Sequence, residues 1–488
     1  MATLELRPRQ LAVVDAVSKA FAADKNILVV APCGFGKTEL ATYFAMATKA
    51  RGKSTSFIMD RISLVEQASE RFDKYGLEHS ISQAQNPRHR PWEKVHICSL
   101  QTVCRKGWLP VSLQIVDECH VLSTAMKARL QERGCYTIGL TATPFTKGLG
   151  KYFDCVINAA TTNDLIREGL LVPFRVFAAS EPDMTGAKVV AGEWAEKDVE
   201  ARSLPIVGDA VAGYMEHGAN KKFIAFASSV AHAEELQKQF LAAGVVSNLY
   251  TYRQSDDERA ESVAEFRKPD SYIRGLISIE SLTRGFDVAD VEVLILARPL
   301  RKALAVHIQM LGRVLRTAIE AGKTEAIVLD HSGNCMRFWS QVQDFFENGI
   351  SELDDGKPKE VKAAKKADRK PVKCPSCFHV HDPLPACPAC GKVYERGAEI
   401  QHVEGVLKEV KGGKAALTTE EKRDFYLQLR AIAVERGYKD GWAANKYKEK
   451  FGAWPESTDD APRPAIAGVL RWVKSRNIAF AKGKQSNG

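Results

Sequence analysis

No apolar run in this chain reaches the ~18 residues needed to cross a bilayer, and its opening stretch, MATLELRPRQ, has no apolar signal core. The expectation is a soluble cytoplasmic protein with no membrane partner. Cysteine is sparse through the first 335 residues. Seven of the eleven are scattered singly there, which argues against a disulfide framework and fits reduced thiols. An acidic excess is missing as well: 69 Lys/Arg against 60 Asp/Glu leave a formal charge of +9, favouring an anionic partner. No short repeat period is present, so a solenoid is not indicated. What remains is a globular composition of 488 residues, about three domains at roughly 150 residues each.

Short aliphatic runs alternate with amphipathic stretches. NILVVA, STSFIMD, KVHICSL, LQIVDE and TIGLTATP read as strands of a first domain, residues 1–155. After the connection LIREGLLVPFRVFAA, the runs KKFIAFAS, SNLYTY, RGLISIE, VEVLILA and EAIVLDHS read as strands of a second, residues 156–345. This alternation predicts two parallel-sheet α/β domains. The stretch 354–373 is Lys-rich and lacks aromatics, and residues 346–373 read as a solvated basic linker.

The segment NILVVAPCGFGKTELATYF carries the first chemical signal. A strand, a glycine-containing loop and a helix are the context of a phosphate loop, although Ala31 stands where the first glycine is usual. Gly34 and Gly36 let backbone N–H groups turn inward as an anion nest. Lys37 supplies charge for the terminal phosphates, and Thr38 a hydroxyl for Mg²⁺. Cys33, within the loop, reads as a small filler. The second signal is LQIVDECH, a strand ending in Asp117 and Glu118 at the crevice edge of an α/β sheet. One carboxylate can hold the metal while the other orients and deprotonates an attacking water. Behind a phosphate loop this pair predicts an ATPase, whereas alone it would read as a solvated turn. Gln309, Arg313 and Arg316 are spaced i, i+4, i+7, one stripe of a helix. Arginines reaching the cleft from the second domain would stabilise charge on a transferring phosphoryl group; the bland reading is a basic surface stripe.

Taken in order, these motifs resemble the superfamily 2 helicases, with a DECH version of the DEAD/DEAH box, over residues 4 to 335. LRPRQ is similar to the adenine-reading Q motif, with Gln10 as reader. APCGFGKT corresponds to motif I, MDRISLVEQ to Ia, SLQTV to Ib, DECH to II and GLTATP to III. FIAFASSVAHAEEL, SLTRGFDVADVEVLILARP and QMLGRVLR correspond to motifs IV, V and VI. The resemblance implies two tandem RecA-like domains that sandwich ATP and Mg²⁺. It implies nucleotide sensing at Gly285 and Asp287, and coupling of nucleotide state to nucleic acid through His120, Thr141, Thr143 and Gln309. It further implies backbone-phosphate contacts from Arg61, Gln101 and Thr102 in the first domain and from Ser228 and Thr283 in the second. GLTATPF, GFD, the RP after the next strand, and VLDHSGN most resemble bacterial RadD-type repair helicases and phage helicases of that layout. Arg284 departs from the small or acidic residue more usual before Gly-Phe-Asp. The RadD resemblance implies DNA with single-stranded or branched character as substrate, and a single-strand-binding protein as a candidate partner.

The four late cysteines form C-x₂-C-x₉-C-x₂-C at Cys374, Cys377, Cys387 and Cys390. Two thiolate knuckles of this kind close a tetrahedral Zn²⁺ shell, so a small structural zinc ribbon is predicted at residues 374–395; a disulfide pair is the alternative. His379 and His381 are spare ligand candidates. The remainder, residues 415–488, reads as a helical basic segment, with Thr418 or Thr419 as the cap of its first helix. Its aromatics Trp442, Tyr447, Phe451 and Trp454, interleaved with lysines, fit a small helical core better than a stacking surface.

The sequence therefore predicts an ATP-dependent, DNA-stimulated motor for replication, recombination or repair. An RNA helicase is the alternative enzyme, and an ATP-switched remodeller of protein–DNA complexes that does not unwind is the alternative class.

Overall fold

The computed structural model describes residues 3–279, 288–356, 370–394, 418–466, 468–474 and 476–477. The chain divides into two compact units, residues 1–395 and 396–488.

The first unit contains two sheets. One has strands β1 (Asn26–Val30), β2 (Thr55–Met59), β3 (Ser80–Ser82), β4 (Val95–Ser99), β5 (Leu113–Val116), β6 (Tyr136–Thr141) and β7 (Cys155–Asn158). They lie in the order β3-β4-β2-β5-β6-β1-β7, with every printed pairing parallel. Each residue of β1, β2 and β4 is buried. That is why these strands read as continuous aliphatic runs: a parallel sheet is covered by helices on both faces. The register pairs Val30 with Thr141 and Ile58 with Val116. The loops that leave β1, β2, β5 and β6 therefore emerge along one sheet edge, where open α/β sheets hold ligands.

The second sheet contains β8 (Phe174–Phe177), β11 (Phe223–Phe226), β12 (Ser247–Tyr250), β13 (Gly275–Ser278), β14 (Val293–Leu296) and β15 (Ala326–Asp330), all paired in parallel. A separate hairpin of β9 (Val189–Val190) and β10 (Glu193–Trp194) is inserted after β8. Both Glu193 carboxylate oxygens accept backbone N–H groups, from Arg301 and Lys302, at 2.7 Å. The Arg337 guanidinium lies 4.7 Å from the centre of the Trp194 ring.

The sequence reading needs correction at three places in this unit. The stretch LIREGLLVPFRVFAA is not a bare connection, because it supplies the helix Thr162–Arg167 and strand β8. Thr161 caps that helix with a reciprocal Thr161–Asp164 box. Nor does the linker begin at residue 346. The helix Asn334–Asn348 runs through that point with Phe338, Val342, Phe345 and Phe346 buried. The chain then straps back onto the first sheet's domain: Asp354 accepts the Gly150 N–H on its carbonyl (2.8 Å) and the Gly148 N–H on its carboxylate (3.1 Å). The central part of the predicted linker, residues 357–369, lies outside the described residues. Finally, the cysteine-rich segment does not stand apart as a ribbon of its own. Its strands β16 (Val372–Lys373) and β17 (His379–His381) continue the second sheet, β17 pairing antiparallel with β8. An edge strand with unpaired backbone groups is thereby covered.

The second unit packs the helices Thr419–Glu435 and Trp442–Phe451 against helical residues 468–474. Thr418 caps the first helix through a capping box with Glu421. Phe425, Leu429, Ile432, Tyr447, Val469 and Val473 form its core, with Trp442 and Phe451 packed against it. Trp454 stays 56% exposed.

Gly275 supports one stability prediction. A Cβ there would fall 2.0 Å from Cζ of the fully buried Phe223. Gly275→Ala should destabilise the second sheet by about 1–3 kcal/mol, the cost of overpacking a dense core. A denaturation midpoint unchanged from the native chain would contradict this packing.

Candidate functional site

Between β1 and the helix Lys37–Ala50, the loop turns through Gly34 (φ +82°) and Gly36 (φ +89°), a backbone region that glycine enters without steric cost. Space imposes the same choice. A Cβ on Gly36 would lie 2.6 Å from Gln10 Nε2, and one on Gly34 would lie 2.9 Å from Leu171 Cδ2. Gly36 caps the helix without a side chain, so the first-turn N–H groups are left for another acceptor. Lys37 Nζ lies 3.4 Å from the Ala31 carbonyl. Burial, the largest single effect, pulls the Lys37 ammonium down, but Glu118, Cys33 and Asp117 together outweigh it and the net shift is upward, so Lys37 is a cation here.

Asp117 and Glu118 follow β5 in a turn pinned on both sides. Asp117 N–H donates to the Ile58 carbonyl of β2 (2.9 Å) and Cys119 N–H to the Leu140 carbonyl of β6 (3.1 Å). The pinning holds Glu118 at φ +45°, uncommon for a residue with a side chain. Strain of this kind persists only where neighbours over-determine it. Burial and the adjacent Glu118 charge push the Asp117 carboxyl up. Glu118 is held down despite its burial, because Lys37 and His120 favour its charged form. Asp117 Oδ1 is buried with no hydrogen-bond partner among the described residues.

His120 ties this turn to both domains. Its Nδ1 lies 2.9 Å from Thr141 Oγ1 and 3.3 Å from Glu118 Oε2. Gln309 Nε2 lies 3.4 Å from His120 Nε2 and 3.2 Å from Thr143 Oγ1. With Gln309 donating, Nε2 is the acceptor and the neutral imidazole carries its proton on Nδ1, toward the Thr141 hydroxyl. All four of His120, Thr141, Thr143 and Gln309 are buried.

Arg313 and Arg316 do reach the same cavity, but not along a helical stripe. The helix Leu304–Leu311 carries Gln309 and stops at Gly312. Arg313 follows in a turn, its N–H bonded to the Met310 carbonyl at 3.1 Å, and Arg316 sits in an isolated bridge to Leu171. Close approach accounts for the glycine at this point: a Cβ on Gly312 would lie 2.7 Å from Cys33 Sγ. The cavity, about 360 Å³, is lined by Gly34, Gly36, Lys37, Thr38, Asp117 and Glu118 from the first domain. Ala289, Arg313, Arg316 and Thr317 close it from the second. That volume is within the range of small-ligand sites.

Other residues named from the sequence are placed differently. Gln10 is buried and does not line the cavity. Its amide donates to the Phe35 and Gly36 carbonyls at 3.1 and 3.4 Å and accepts the Arg7 N–H at 2.9 Å, bracing the loop. Thr102 and Ser228 are buried and bonded internally, to Ser99 Oγ at 2.8 Å and His232 Nδ1 at 2.7 Å, so neither offers a surface hydroxyl. Arg61 precedes the helix Ile62–Lys74, and Gln101 donates to the Asp60 carbonyl at 2.6 Å. Thr283, Arg284, Gly285 and Asp287 lie outside the described residues. Leu64, Gln67, Arg71 and Leu170 also line the cavity. Leu64 and Gln67 fall within the stretch MDRISLVEQ but were not singled out there, and Arg71 and Leu170 lie in no motif; only the fold brings the four to the loop.

The late cysteines converge. All four Sγ atoms lie within 4.8 Å of one another, with Cys374–Cys390 and Cys377–Cys387 at 3.7 Å. A tetrahedral zinc with bonds of about 2.3 Å places sulfurs about 3.8 Å apart. The spare histidines are engaged elsewhere: His379 Nδ1 with the Val176 carbonyl at 2.9 Å, His381 Nε2 with the Tyr394 hydroxyl at 2.8 Å.

Two sheets facing one charged cavity define a two-domain nucleotide-dependent motor. Residues 3–146 match the family described as type III restriction enzyme, res subunit, and residues 207–318 the helicase conserved C-terminal domain. A 51.5 kDa protein of a Lactococcus phage (isolate 7-9) is 24% identical over 424 residues, covering 83% of this chain and 86% of that protein. Among solved structures, a fragment described as an HsdR subunit of a type I restriction enzyme from Vibrio vulnificus YJ016 aligns with a TM-score of 0.56 and 19% identity. That alignment covers 71% of this chain and 68% of the other. The ATP-dependent type ISP restriction-modification enzyme LlaBIII bound to DNA aligns with a TM-score of 0.52 and 13% identity, over 68% of this chain and 28% of that one. The chain belongs to the superfamily 2 DEAD/DEAH-like helicases and is an ATP-hydrolysing enzyme. Among the described residues, no helix is long and apolar enough to cross a membrane.

Metal analysis of the purified chain should give about one zinc per chain, and Cys374→Ser should lose it, since each thiolate is a quarter of the shell. Zinc-free protein with the four thiols reduced would refute the site.

Proposed function

We propose that this chain is a DNA-stimulated ATPase that moves along or opens DNA, with ATP hydrolysed between its two sheets. The observation that carries the reading is the shared cavity: Lys37, Asp117 and Glu118 face Arg313 and Arg316 from the other domain. The fit to a nucleotide and a divalent cation rests on the glycine-bounded loop, the buried Lys37 cation and the orphaned Asp117 Oδ1. Mg²⁺, held by Thr38 and Asp117, would neutralise charge between the terminal phosphates of ATP. The Gly34–Gly36 loop and Lys37 bind and orient those phosphates.

Glu118, held ionised, is the acceptor for the proton of the attacking water. His120 keeps that carboxylate oriented and reports its state to Gln309 and Thr143. Arg313 and Arg316 stabilise the charge of the phosphoryl group in flight, a contribution of ~10³–10⁵ in rate for such arginines. Because they come from the far domain, hydrolysis requires the two sheets to close together, and a chemical step becomes a domain movement. The Gln10 amide acts here as a brace for the loop. The net positive charge, the restriction-enzyme family matched by residues 3–146 and the DNA-bound LlaBIII structure support DNA as the track. The RadD-like motifs extend the proposal to replication, recombination or repair in a bacterial or phage-infected cytoplasm.

Lys37→Ala should lose ATP binding, whereas Glu118→Gln should bind ATP and lose turnover by at least ~10³-fold, because only the charge on the water's base is removed. Near-native turnover in either variant would refute the assignment. ATPase assays with single-stranded, duplex and forked DNA and with RNA test the track. Stimulation by RNA alone would overturn the DNA reading, and stimulation without strand displacement would identify a translocase or remodeller.

A further inference from the structure

Arg316 stands outside the regular helices and strands of its own domain. It lies beyond the end of the Leu304–Leu311 helix, in an isolated antiparallel bridge to Leu171, and Val172 N–H donates to the Leu315 carbonyl at 2.8 Å. Leu171 also touches the phosphate loop. Its side chain is buried, and a Cβ on Gly34 would meet Leu171 Cδ2 at 2.9 Å and Arg316 Cγ at 4.0 Å. Leu171 is therefore a spacer between the loop and the arginine.

Two residues after Val172 the chain enters β8. One flank of β8 is held by β15. The other is held by the cysteine ribbon: His379 pairs with Phe177 and Val380 with Val176, Ala178 N–H donates to the Phe378 carbonyl (3.0 Å), and His379 Nδ1 contacts the Val176 carbonyl (2.9 Å). Phe378 sits inside the first cysteine knuckle at φ +58°, a costly conformation for a bulky residue. The knuckle bonds, Phe378 N–H to the Cys374 carbonyl and Cys374 N–H to the His379 carbonyl, both 2.9 Å, hold it there. Closing the four-sulfur shell thus fixes the strand that covers β8, and β8 leads straight into the spacer.

We infer that Leu171 and Val172 are positioning residues for Arg316, and that the metal-closed ribbon, acting through β8, holds them in register. The inference rests on the role proposed above for Arg316. Its chemical content is a linkage between zinc occupancy and the hydrolytic step that leaves nucleotide affinity largely alone: Lys37 and Thr38 stand on the helix Lys37–Ala50 of the other domain, and Leu171 meets the loop through its side chain at Gly34. A misplacement of ~1 Å at a reacting centre can cost ~10²-fold in rate, so a modest loosening of β8 is sufficient.

The test uses the full chain, with single-turnover ATP hydrolysis and the affinity for a fluorescent ATP analogue as separate readouts. Zinc release to a chromogenic dye and thermal melting are recorded alongside. The native chain, Leu171→Ala, Leu171→Met and Arg316→Ala are each compared with and without zinc. Zinc removal and Leu171→Ala should each slow the hydrolytic step about tenfold while analogue affinity changes less than about twofold, and Leu171→Met should recover most of the rate. In Arg316→Ala, already slow, zinc removal should add no further loss, because the two act through one residue. A zinc-independent rate, an equal further loss in Arg316→Ala, or a parallel loss of analogue affinity would overturn the inference. If the zinc-free chain melts before assay, the Leu171 variants decide the matter by the same criteria. A native rate in zinc-loaded Arg316→Ala would instead overturn the proposed arginine role, a distinguishable failure.

Discussion

The two sheets of the first unit meet where neither backbone leaves room for a methyl group. Gly312 lies against Cys33, and Gly34 lies against Leu171. These contacts decide what the cavity can be. They bring Arg313 and Arg316 beside a loop from the other domain, and the Leu304–Leu311 helix ends two residues before Arg313. A side chain at Gly34 or Gly312 would force its neighbours to shift, because it meets buried Leu171 or half-buried Cys33 at less than van der Waals distance.

Around this contact the protein concentrates charge that water would otherwise solvate. Lys37 and the two arginines outnumber the Glu118 carboxylate, while Asp117 is left with an orphaned oxygen and a carboxyl pushed toward its neutral form. Such imbalance is costly in a folded protein and collects at sites built for a charged ligand. The strained Glu118 backbone, fixed by β2 and β6 on either side, belongs to the same arrangement. Rigid strands supply the pinning, and the turn between them carries the chemistry.

The cysteine ribbon solves a separate physical problem. A parallel sheet that ends in β8 would expose a row of backbone donors and acceptors. The ribbon adds β17 and β16 to that edge, and Trp339 Nε1 bonds the Asp382 carboxylate at 2.9 Å beside it. Metal-site chemistry and sheet continuity are therefore one structure, and the ribbon is a part of the second domain's architecture.

Much of this was legible locally. The aliphatic runs of β1, β2, β5, β6, β11, β13, β14 and β15 mark strands buried on both faces, and strand, glycine loop and helix in succession mark the phosphate loop. The C-x₂-C pairs announce a metal shell because each knuckle is closed within a few residues. Other features depend on partners distant in sequence. The arginine stripe read at helical spacing is broken because the helix ends at Leu311, and Gly312 is held close against Cys33 of another domain. Thr102 and Ser228 looked like surface hydroxyls, yet each is buried against a neighbour that fixes its bonding. Leu171 carried no motif at all. Sequence alone determined which residue types could bind phosphate, metal and zinc, because those demands are set by local backbone and side-chain chemistry. Only the tertiary structure decided which of them share a cavity, since that follows from packing two sheets and a ribbon edge to edge.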